Sequence, residues 1–215
     1  IYMGEVTEES EPHLKKIDAI AEQAGKLTSQ LLGYARKGKR QVQTLQLKSI
    51  VDGAFNLFQP TTQTGIRNNL NIDCAGITVE GDRTQLQQAI LNLMINARDA
   101  MENLPENSRL LRICAGFCDS MGVTPNPPPE VKTEGPFCCI RVEDSGPGVD
   151  EAIVGKIFEP FFTTKPTGKG TGMGLSMAYG VSREHGGWIQ YERLNPGAAF
   201  TIVLPVQQNK KEHLQ

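Results

Sequence analysis

The sequence predicts a mixed α/β domain over residues 44–208, preceded by one long amphipathic helix at about residues 12–38. Three observations support this fold class. Apolar residues recur with helical spacing in the first stretch, and short β-type runs alternate with helical segments in the second. The last two β-type runs flank Asn195-Pro-Gly197, a turn signal that favours a hairpin. Residues 209–215 are expected to form a frayed tail.

The N-terminal helix carries a single apolar stripe whose repeat is near 3.5 residues. The members of this stripe are Leu14, Ile17, Ile20, Ala21, Ala24, Leu27, Leu31 and Leu32. A lone helix cannot bury such a stripe, so we expect it to pair with a partner chain or with a helix that precedes residue 1. Residues 1–43 are therefore interpreted as part of a helical region whose other half lies outside this chain.

The domain itself is predicted to contain seven short strands and three helices. The predicted strands are Leu45–Leu47, Leu70–Cys74, Thr78–Glu80, Arg109–Cys118, Phe137–Glu143, Trp188–Arg193 and Ala199–Leu204. The predicted helices run from Ile50 to Leu57, from an Asp82 cap to about Asn103, and from Met173 to Glu184. A proline-rich stretch at residues 125–129 is expected to form an extended excursion.

Composition argues against several classes of protein. Hydrophobic residues make up 39% and charged residues 21%, so a packed core is feasible and disorder is not expected. The net charge of −2 gives no reason to expect nucleic acid or an anionic membrane as a partner. No apolar run approaches the ~20 residues of a spanning helix, so we expect a cytoplasmic chain without membrane contact. Any membrane anchor would lie outside this chain. The five cysteines lack the spacing of a disulfide framework or zinc site and are expected to be reduced.

The helix after Asp82 carries a polar face beside its buried stripe. Asn92, Asn96 and Asp99 fall at i, i+4 and i+7 and therefore line up along the helix. Asparagine is a mediocre helix former, so two of them one turn apart sacrifice helix propensity. In the functional interpretation the carboxamide oxygens and the carboxylate face a cleft, where Asn96 ligates Mg²⁺ together with phosphate oxygens. The alternative is a solvated polar face.

Asp144 opens the turn Asp144-Ser-Gly-Pro-Gly148 at the end of a predicted strand. A carboxylate here can accept a hydrogen bond from the exocyclic amine of adenine, whereas guanine presents an oxygen at that position. Gly146 and Gly148 would let the backbone approach the purine without Cβ clashes. The alternative is an ordinary turn.

The segment Gly168–Gly174 leads directly into a helix. Glycines and a helix N-terminus together make an anion site from backbone N–H groups and the helix dipole, which predicts a phosphate loop. It is not a Walker A loop, because the Gly-Lys-Ser/Thr ending is absent. A flexible linker is the alternative.

An aromatic cluster and two lysines lie between the two glycine segments. Phe158, Phe161 and Phe162 are predicted to anchor one end of a mobile loop, while the glycines let the rest close over phosphate. Lys165 and Lys169 are candidates for reaching the phosphates.

In order and spacing, these four elements resemble the N, G1, F and G2 boxes of the sensor histidine kinase catalytic domain, the ATP-binding module of the GHKL superfamily. The resemblance covers about residues 44–206. It implies an α+β fold, the two-layer α/β sandwich of the Bergerat type, with ATP under a flexible lid. It also implies that Asn96 holds Mg²⁺, that Asn92 lies near the phosphates and that Asp144 binds adenine. The implied phosphate loop comprises Gly170, Thr171, Gly172, Met173, Gly174 and Leu175.

One position separates the members of this superfamily. Its hydrolysing ATPases carry a glutamate four residues before the magnesium asparagine, as a base for water. Asn92 occupies that position here, which favours a kinase. Residues 21–36 also resemble the second helix of the dimerisation and phosphotransfer hairpin, which implies a homodimer through this helix in the full-length protein.

The phosphoacceptor histidine of the family has no counterpart in this sequence, because His13, His185 and His213 do not fit its position on the first hairpin helix. We therefore expect the chain to begin after the acceptor, to bind ATP and ADP, and not to phosphorylate itself. The resemblance implies transfer of the γ-phosphate to a histidine outside the chain and then to the receiver domain of a response regulator. The alternatives are a degenerate nucleotide-binding dimer scaffold, and a serine kinase or ATPase of the same superfamily.

Overall fold

The computed structural model of the chain describes residues 41–62, 65–131, 135–166 and 170–207. Residues 41–163 form one compact unit with the residues from 172 onward, whereas segment 164–171 belongs to a separate unit and is treated by itself. The predicted N-terminal helix and the predicted frayed tail lie outside the described residues.

The described part of the chain contains seven strands, three α-helices and three short 3₁₀ turns. In chain order the strands and α-helices are β1 (Gln43–Gln46), α1 (Leu47–Phe58), β2 (Arg67–Ile72), β3 (Thr78–Gly81), α2 (Arg83–Ala100), β4 (Leu110–Phe117), β5 (Phe137–Asp144), α3 (Gly174–Glu184), β6 (Trp188–Arg193) and β7 (Ala198–Pro205). The 3₁₀ turns are Gln59–Thr61, Glu106–Ser108 and Val154–Lys156.

A five-stranded mixed sheet forms one layer of the fold, in the order β2-β4-β5-β7-β6. Strand β2 pairs in parallel with β4, and every other neighbouring pair in this sheet is antiparallel. A parallel pair needs a long crossover, and here the crossover contains β3 and the whole of α2. Strands β1 and β3 form a separate antiparallel pair.

The helices form the second layer and enclose the core against one face of the sheet. Leu86 and Ile90 of α2 are at most 1% exposed and belong to the same buried cluster as Ile113 of β4, Ile140 of β5 and Ile202 of β7. Burial of this apolar surface is the main stabilising contribution to such a fold. The predicted α+β two-layer architecture is confirmed.

The opposite face of the sheet is polar in one part and covered in another. Arg112 Nη1 lies 2.8 Å from Glu143 Oε2 across β4 and β5. Cys118 and Val123, just before the proline-rich excursion, pack with Trp188 on this face in a second, smaller buried cluster, and the Asn126 N–H within the excursion donates to Gln190 Oε1 at 3.0 Å. The excursion is therefore attached to the face that the helices leave open.

The boundaries of several predicted elements differ from the structure. Leu47 begins α1 rather than ending β1, and its N–H, which has no partner within the helix, donates to the Ile77 carbonyl at 3.0 Å. Strand β2 starts at Arg67 and ends before Cys74. Helix α2 ends at Ala100 rather than near Asn103, because the chain turns there through short-range bonds such as Met101 N–H to the Arg98 carbonyl, 3.1 Å.

Two local predictions about α2 and the last hairpin are confirmed. The Asp82 carboxylate caps α2 by accepting hydrogen bonds from the N–H groups of Thr84 at 2.9 Å and Gln85 at 3.2 Å. Strands β6 and β7 pair antiparallel around the turn at Asn195-Pro-Gly197. Both features rest on short-range chemistry, which is why the sequence alone indicates them.

The five cysteines are free thiols, as predicted. Four are buried and Cys114 is partly buried. Burial raises the pKa of the Cys74 thiol to about 11, so that it stays protonated and packs as a small apolar group. Within the described ranges, no helix combines the length and apolarity needed to cross a bilayer.

Candidate nucleotide-binding site

Asn92 is the most deeply placed polar residue on α2, with 8% of its surface exposed. Its Oδ1 accepts a hydrogen bond from Gln88 Nε2 at 3.1 Å. Its Nδ2 is buried and has no hydrogen-bond partner in the described part of the chain. Sequence reasoning expected the amide oxygens of this face to be available in a cleft. For Asn92 the structure differs, since the oxygen is already paired and the nitrogen is not.

Asn96, one turn further along α2, faces the start of α3. A Cβ built on Gly174 would lie 3.3 Å from Asn96 Nδ2 and 3.7 Å from Asn96 Oδ1, so the helix start and the amide are in direct contact. The Asn96 amide makes no hydrogen bond to the described residues. The fold therefore brings together the polar face of α2 and the last glycine of the predicted phosphate loop, which are almost 80 positions apart in sequence.

Asp99, the third predicted member of the polar face, is ion-paired. Arg98 Nη2 lies 2.7 Å from Asp99 Oδ1, and Arg98 Nε donates to the same oxygen at 2.9 Å. Arg98 Nη1 also donates to the Thr61 carbonyl at 3.1 Å. The carboxylate thus takes part in a contact that links the end of α2 to the turn after α1.

Asp144 is the last residue of β5 and is 5% exposed. One carboxylate oxygen, Oδ1, accepts a hydrogen bond from the Gly146 N–H at 2.8 Å. Burial raises the pKa of this carboxyl group from 3.8 to about 6, although N–H groups of Gly146 and Ala198 that donate to it act in the opposite direction. The group is held in one orientation and is less readily ionised than an ordinary aspartate.

The glycines next to Asp144 are required by close packing of the chain. A Cβ on Gly146 would lie 3.1 Å from the Ala100 carbonyl oxygen at the end of α2. Gly148 has φ +76°, and a Cβ there would lie 2.8 Å from the Gly197 carbonyl oxygen. Gly197 in turn contacts the Asp144 carbonyl so closely that it leaves no room for a Cβ. We call the turn Asp144–Gly148 the G1 turn. Backbone contacts fix it, and they explain its glycines independently of the predicted approach of a purine.

The aromatic cluster divides into buried and exposed members. Phe158 packs against Tyr179 of α3, with ring centroids 5.5 Å apart, and Phe162 is partly buried against the core. Phe161 is 65% exposed with φ +67°, and Gly172 packs directly on its backbone. The predicted anchoring role fits Phe158 and Phe162 and is wrong for the side chain of Phe161, whose backbone makes the contact instead.

Helix α3 starts without a side-chain cap. Met173 occupies the N-cap position and is 5% exposed, and its carbonyl accepts hydrogen bonds from Met177 N–H at 2.9 Å and Ser176 Oγ at 3.0 Å. The Met173 side chain makes no capping hydrogen bond to the N–H groups of the first turn, which includes Gly174 and Leu175. Uncapped N–H groups at a helix start, with the dipole behind them, form an anion site.

Comparison with known proteins identifies the family of this chain. The sequence profile of the family described as Histidine kinase-, DNA gyrase B-, and HSP90-like ATPase matches residues 81–208. The chain belongs to this family. The matched range contains all four segments singled out above, from the asparagine helix to the loop before α3.

The curated relatives of this ATPase-family chain include sensor kinases. Sensor kinase CckA of Brucella abortus is 33% identical over 199 residues, which cover 90% of this chain and 20% of CckA. Two-component sensor PprA of Pseudomonas aeruginosa is 31% identical over 211 residues, covering 95% of this chain and 20% of PprA. The chain therefore spans a fifth of the length of these relatives.

Among solved structures, the catalytic domain of histidine kinase ThkA matches this chain with a TM-score of 0.61 at 28% identity. The match covers 77% of this chain and 95% of that domain. The likeness therefore extends over nearly all of a histidine kinase catalytic domain.

Four predicted site residues of the ATPase-family loop are not placed relative to the rest of the site. Lys165, Gly170 and Thr171 lie in segment 164–171, where each is partly exposed. Lys169 lies outside the described residues. Their predicted contact with phosphates stays a prediction.

His185, at the end of α3, links two helices of the candidate site, a role that sequence reasoning did not assign to it. Its Nδ1 donates to the Val181 carbonyl at 2.7 Å, and its Nε2 accepts from the Asp82 N–H at 3.0 Å. The ring thereby connects the end of α3 to the start of α2, the two helices that carry Gly174 and Asn96. The His-Gly-Gly sequence at a helix end was the available signal.

Proposed function

We propose that this chain is the ATP-binding catalytic domain of a sensor histidine kinase, which transfers the γ-phosphate of MgATP to a histidine on a partner helix. The observation that carries the proposal is the contact between Asn96 on α2 and Gly174 at the uncapped start of α3. One turn away, Asn92 holds a buried amide donor without a partner among the described residues. Membership of the ATPase family supports nucleotide binding at this place.

Adenine recognition is assigned to Asp144. Its carboxylate is buried at the end of β5, and the Gly146 N–H holds one of its two oxygens. The remaining acceptor capacity suits the exocyclic amine of adenine and opposes the oxygen that guanine carries there. Gly146 and Gly148 form the adjoining wall in this proposal.

Asn96 is the residue that would hold Mg²⁺, through Oδ1. The fit is supported by an amide without a hydrogen bond to the described residues and by the preference of this hard cation for oxygen ligands. When bound, Mg²⁺ neutralises part of the charge of the phosphate chain. The described residues contain no cluster of three His, Cys, Asp or Glu side chains that would form a metal site of their own, so phosphate oxygens would complete this one.

The phosphates are assigned to the start of α3 and to Asn92. The N–H groups of Gly174 and Leu175, together with the loop residues Gly170, Thr171, Gly172 and Met173, supply the backbone donors in this proposal. Lys165 and Lys169 are the proposed cationic partners.

Asn92 also favours transfer to histidine over hydrolysis. A carboxamide cannot take a proton from water at neutral pH, so this position cannot supply the general base that ATP hydrolysis needs. A neutral imidazole attacks phosphorus through its lone pair and does not require a base there. We propose a response regulator receiver domain as the next phosphate acceptor, a homodimer of the full-length protein through its N-terminal helix, and a cytoplasmic location.

Calorimetric titration with MgATP and MgGTP tests the proposal. We expect the chain to bind MgATP and not MgGTP, and we expect Asn96→Ala to weaken MgATP binding while leaving the affinity for metal-free ATP close to that of the parent. Failure of the parent chain to bind MgATP would overturn the proposal and favour a degenerate scaffold.

A second assay addresses the transfer itself. The chain is incubated with labelled ATP and a supplied acceptor hairpin from a sensor kinase, and the product is examined for an acid-labile, base-stable phosphoramidate. Release of inorganic phosphate at the same rate with and without the acceptor would instead indicate an ATPase.

A further inference from the structure

We propose that the outer edge of β2 binds the same edge of a second copy of this chain, so that the two sheets join antiparallel about a two-fold axis at Leu70. Strand β2 (Arg67–Ile72) is an end strand of the five-stranded sheet and pairs on one side only, with β4. All of its residues are exposed except Ile72, which is partly buried. This contact uses no residue of the nucleotide site, so the inference does not rest on the proposed function.

The backbone hydrogen bonds of β2 show which of its groups face outward. The Arg67 N–H donates to the Arg109 carbonyl at 3.0 Å, and the Asp73 N–H donates to the Ala115 carbonyl at 2.8 Å. Successive residues of a strand direct their N–H and C=O groups to opposite sides, so every second residue between these two faces away from β4. These outward-facing residues are Asn68, Leu70 and Ile72. Their N–H groups make no hydrogen bond to the described residues.

Strand β2, which is described over its whole length, lacks the features that usually protect a sheet edge. Its register with β4 is continuous from Arg67 to Ile72, so no bulge turns the edge away, and its sequence contains neither proline nor lysine. Leu70, near its centre, is 38% exposed. Leu70 pairs with Ile113 of the buried core, so its side chain lies on the helix-covered face of the sheet. Such an edge is a template for another strand.

The strand is complementary to itself in one antiparallel register. When Leu70 lies opposite Leu70 of the second copy, outward-facing residues meet outward-facing residues, and their N–H and C=O groups can pair. The same register places Arg67 opposite Asp73 of the second copy, and two-fold symmetry repeats this pair. Neither side chain has an ion pair among the described residues. Opposite charges directly across two strands stabilise their pairing, so the partner that fits this edge is the chain itself.

Other registers lose these contacts. A slip of one residue places the outward-facing groups opposite groups that already bind β4, so the hydrogen bonds cannot form. A slip of two residues keeps the hydrogen-bond phase but moves Arg67 opposite Asn71 or Ala75, which removes both ion pairs. A parallel arrangement in register would place Arg67 beside Arg67 of the second copy. The sequence of β2 therefore favours the register centred on Leu70.

Charge reversal tests this register in the whole chain by sedimentation equilibrium. Arg67→Glu sets two carboxylates against each other, and Asp73→Arg sets two guanidinium groups against each other, so each variant alone should self-associate about tenfold more weakly than the parent. In an equimolar mixture of the two variants, opposite charges meet at both ends of the strand. The mixture should therefore associate about as strongly as the parent. Both residues are exposed, so the fold should not change.

Two leucine substitutions test the centre of the contact. Leu70 and Leu57 are both exposed, at 38% and 54%, but Leu57 lies on α1. Leu70→Lys places two ammonium groups next to the two-fold axis, and we expect it to lower the association constant at least about tenfold. Leu57→Lys is the matched control and should leave the association constant unchanged. Circular dichroism of each variant checks that the fold is kept. An equal loss in both variants would overturn the inference.

Association through the N-terminal helix would give a different result, because none of these substitutions lies in residues 1–43. If the charge-reversed variants associate as strongly as the parent, or if their mixture associates no more strongly than each variant alone, the inference is overturned. A parent chain whose average mass does not rise with concentration would also overturn it and leave this edge to a strand of another protein. Calorimetric titration of Arg67→Glu with MgATP separates the two proposals, since we expect its affinity to equal that of the parent.

Discussion

The G1 turn and the polar face of α2 lie in the same site and are built in opposite ways. In the G1 turn, Asp144 accepts from backbone N–H groups, and Gly148 and Gly197 pack so closely that no side chain fits. On α2, Asn92 keeps a buried donor unpaired and Asn96 has no hydrogen bond to the described residues. Contacts within the described structure fix the backbone of the G1 turn and one oxygen of Asp144, whereas Asn92 and Asn96 keep amide groups that no described residue pairs.

This difference matches the two parts of the proposed ligand. A purine is rigid and is recognised by shape and one specific hydrogen bond, which favours a wall fixed in advance. A phosphate chain is charged and arrives with its own cation, so open donors and ligands are needed around it. The comparison predicts that substitutions in the G1 turn alter the fold or the base specificity, whereas substitutions near α2 alter phosphate binding alone.

Asp144→Asn should have the largest effect on binding. Replacing one acceptor oxygen by NH₂ places a donor against the adenine amine, and we expect about a 100-fold loss of ATP affinity. The unliganded fold should become more stable near pH 7.5 by about 1–3 kcal/mol, since the buried ionised form is disfavoured there. Calorimetry and chemical denaturation measure the two effects. Asp150→Asn, an exposed aspartate in the following turn, is the control and should change neither. Lost binding together with lost stability would contradict this prediction.

Gly148→Ala should destabilise the fold itself. Gly148 and Gly76 have nearly the same φ, +76° and +75°, but a Cβ on Gly76 meets nothing within 4 Å whereas one on Gly148 meets the Gly197 carbonyl. We expect Gly76→Ala to cost about 1 kcal/mol of unfolding free energy from backbone strain alone, and Gly148→Ala about 3 kcal/mol. Urea denaturation of both variants measures this. Equal costs would mean that packing does not fix the G1 turn.

Gly174→Ala should weaken phosphate binding without harming the fold. The new methyl group would lie 3.3 Å from Asn96 Nδ2, so the amide must shift, while alanine improves helix propensity at this position. We expect about a tenfold loss of MgATP affinity and an unchanged or raised melting temperature. Gly180→Ala in the same helix is the matched control, because a Cβ there meets nothing within 4 Å. A Gly174→Ala variant with parent affinity would show that the contact with Asn96 does not matter for binding.

The smallest expected effect is the pH dependence of adenine binding. The Asp144 pKa of about 6 means that about a quarter of the unliganded protein is ionised at pH 5.5, so adenosine affinity should fall about fourfold relative to pH 7.5. Adenosine is used because it carries no phosphate group that would itself titrate in this pH range. The stability of the unliganded fold changes with pH in the opposite direction to the adenosine affinity. The native carboxyl group takes up its proton before the unfolded one, so its contribution to stability rises as pH falls from above 6 towards 3.8. Asp144→Asn should show neither dependence.

Much of the fold was predictable because its signals are local. The Asp82 cap, the apolar stripe of α2 and the turn before β7 each depend on a few neighbouring residues. The candidate site was predictable as an ordered set of segments, because each segment has its own composition. The structure then adds that Asn96 and Gly174 are in contact.

The features of the site that the sequence did not predict depend on residues far apart in the chain, or on which end of a side-chain amide faces its neighbour. Gly197 packs on the Asp144 carbonyl from 53 positions away, and no local pattern indicates that contact. The orientation of Asn92 depends on which atom Gln88 pairs with, and a sequence does not distinguish the two ends of an amide. Phe161 is aromatic like Phe158 and Phe162, and its backbone φ of +67° and its exposed side chain are features that the sequence does not reveal.

The parallel pairing of β2 with β4 has a consequence for the order of folding. Between these strands the chain passes through β3 and α2, so their hydrogen bonds close a loop that already contains a complete helix. The antiparallel hairpin of β6 and β7 needs only a short turn and closes at little entropic expense. Strand β2 is therefore the last strand expected to join the sheet, and as a largely exposed edge it is also the first expected to leave during partial unfolding. Asn92 and Asn96 lie on the helix within that loop, so we expect their helix to dock before β2 joins the sheet.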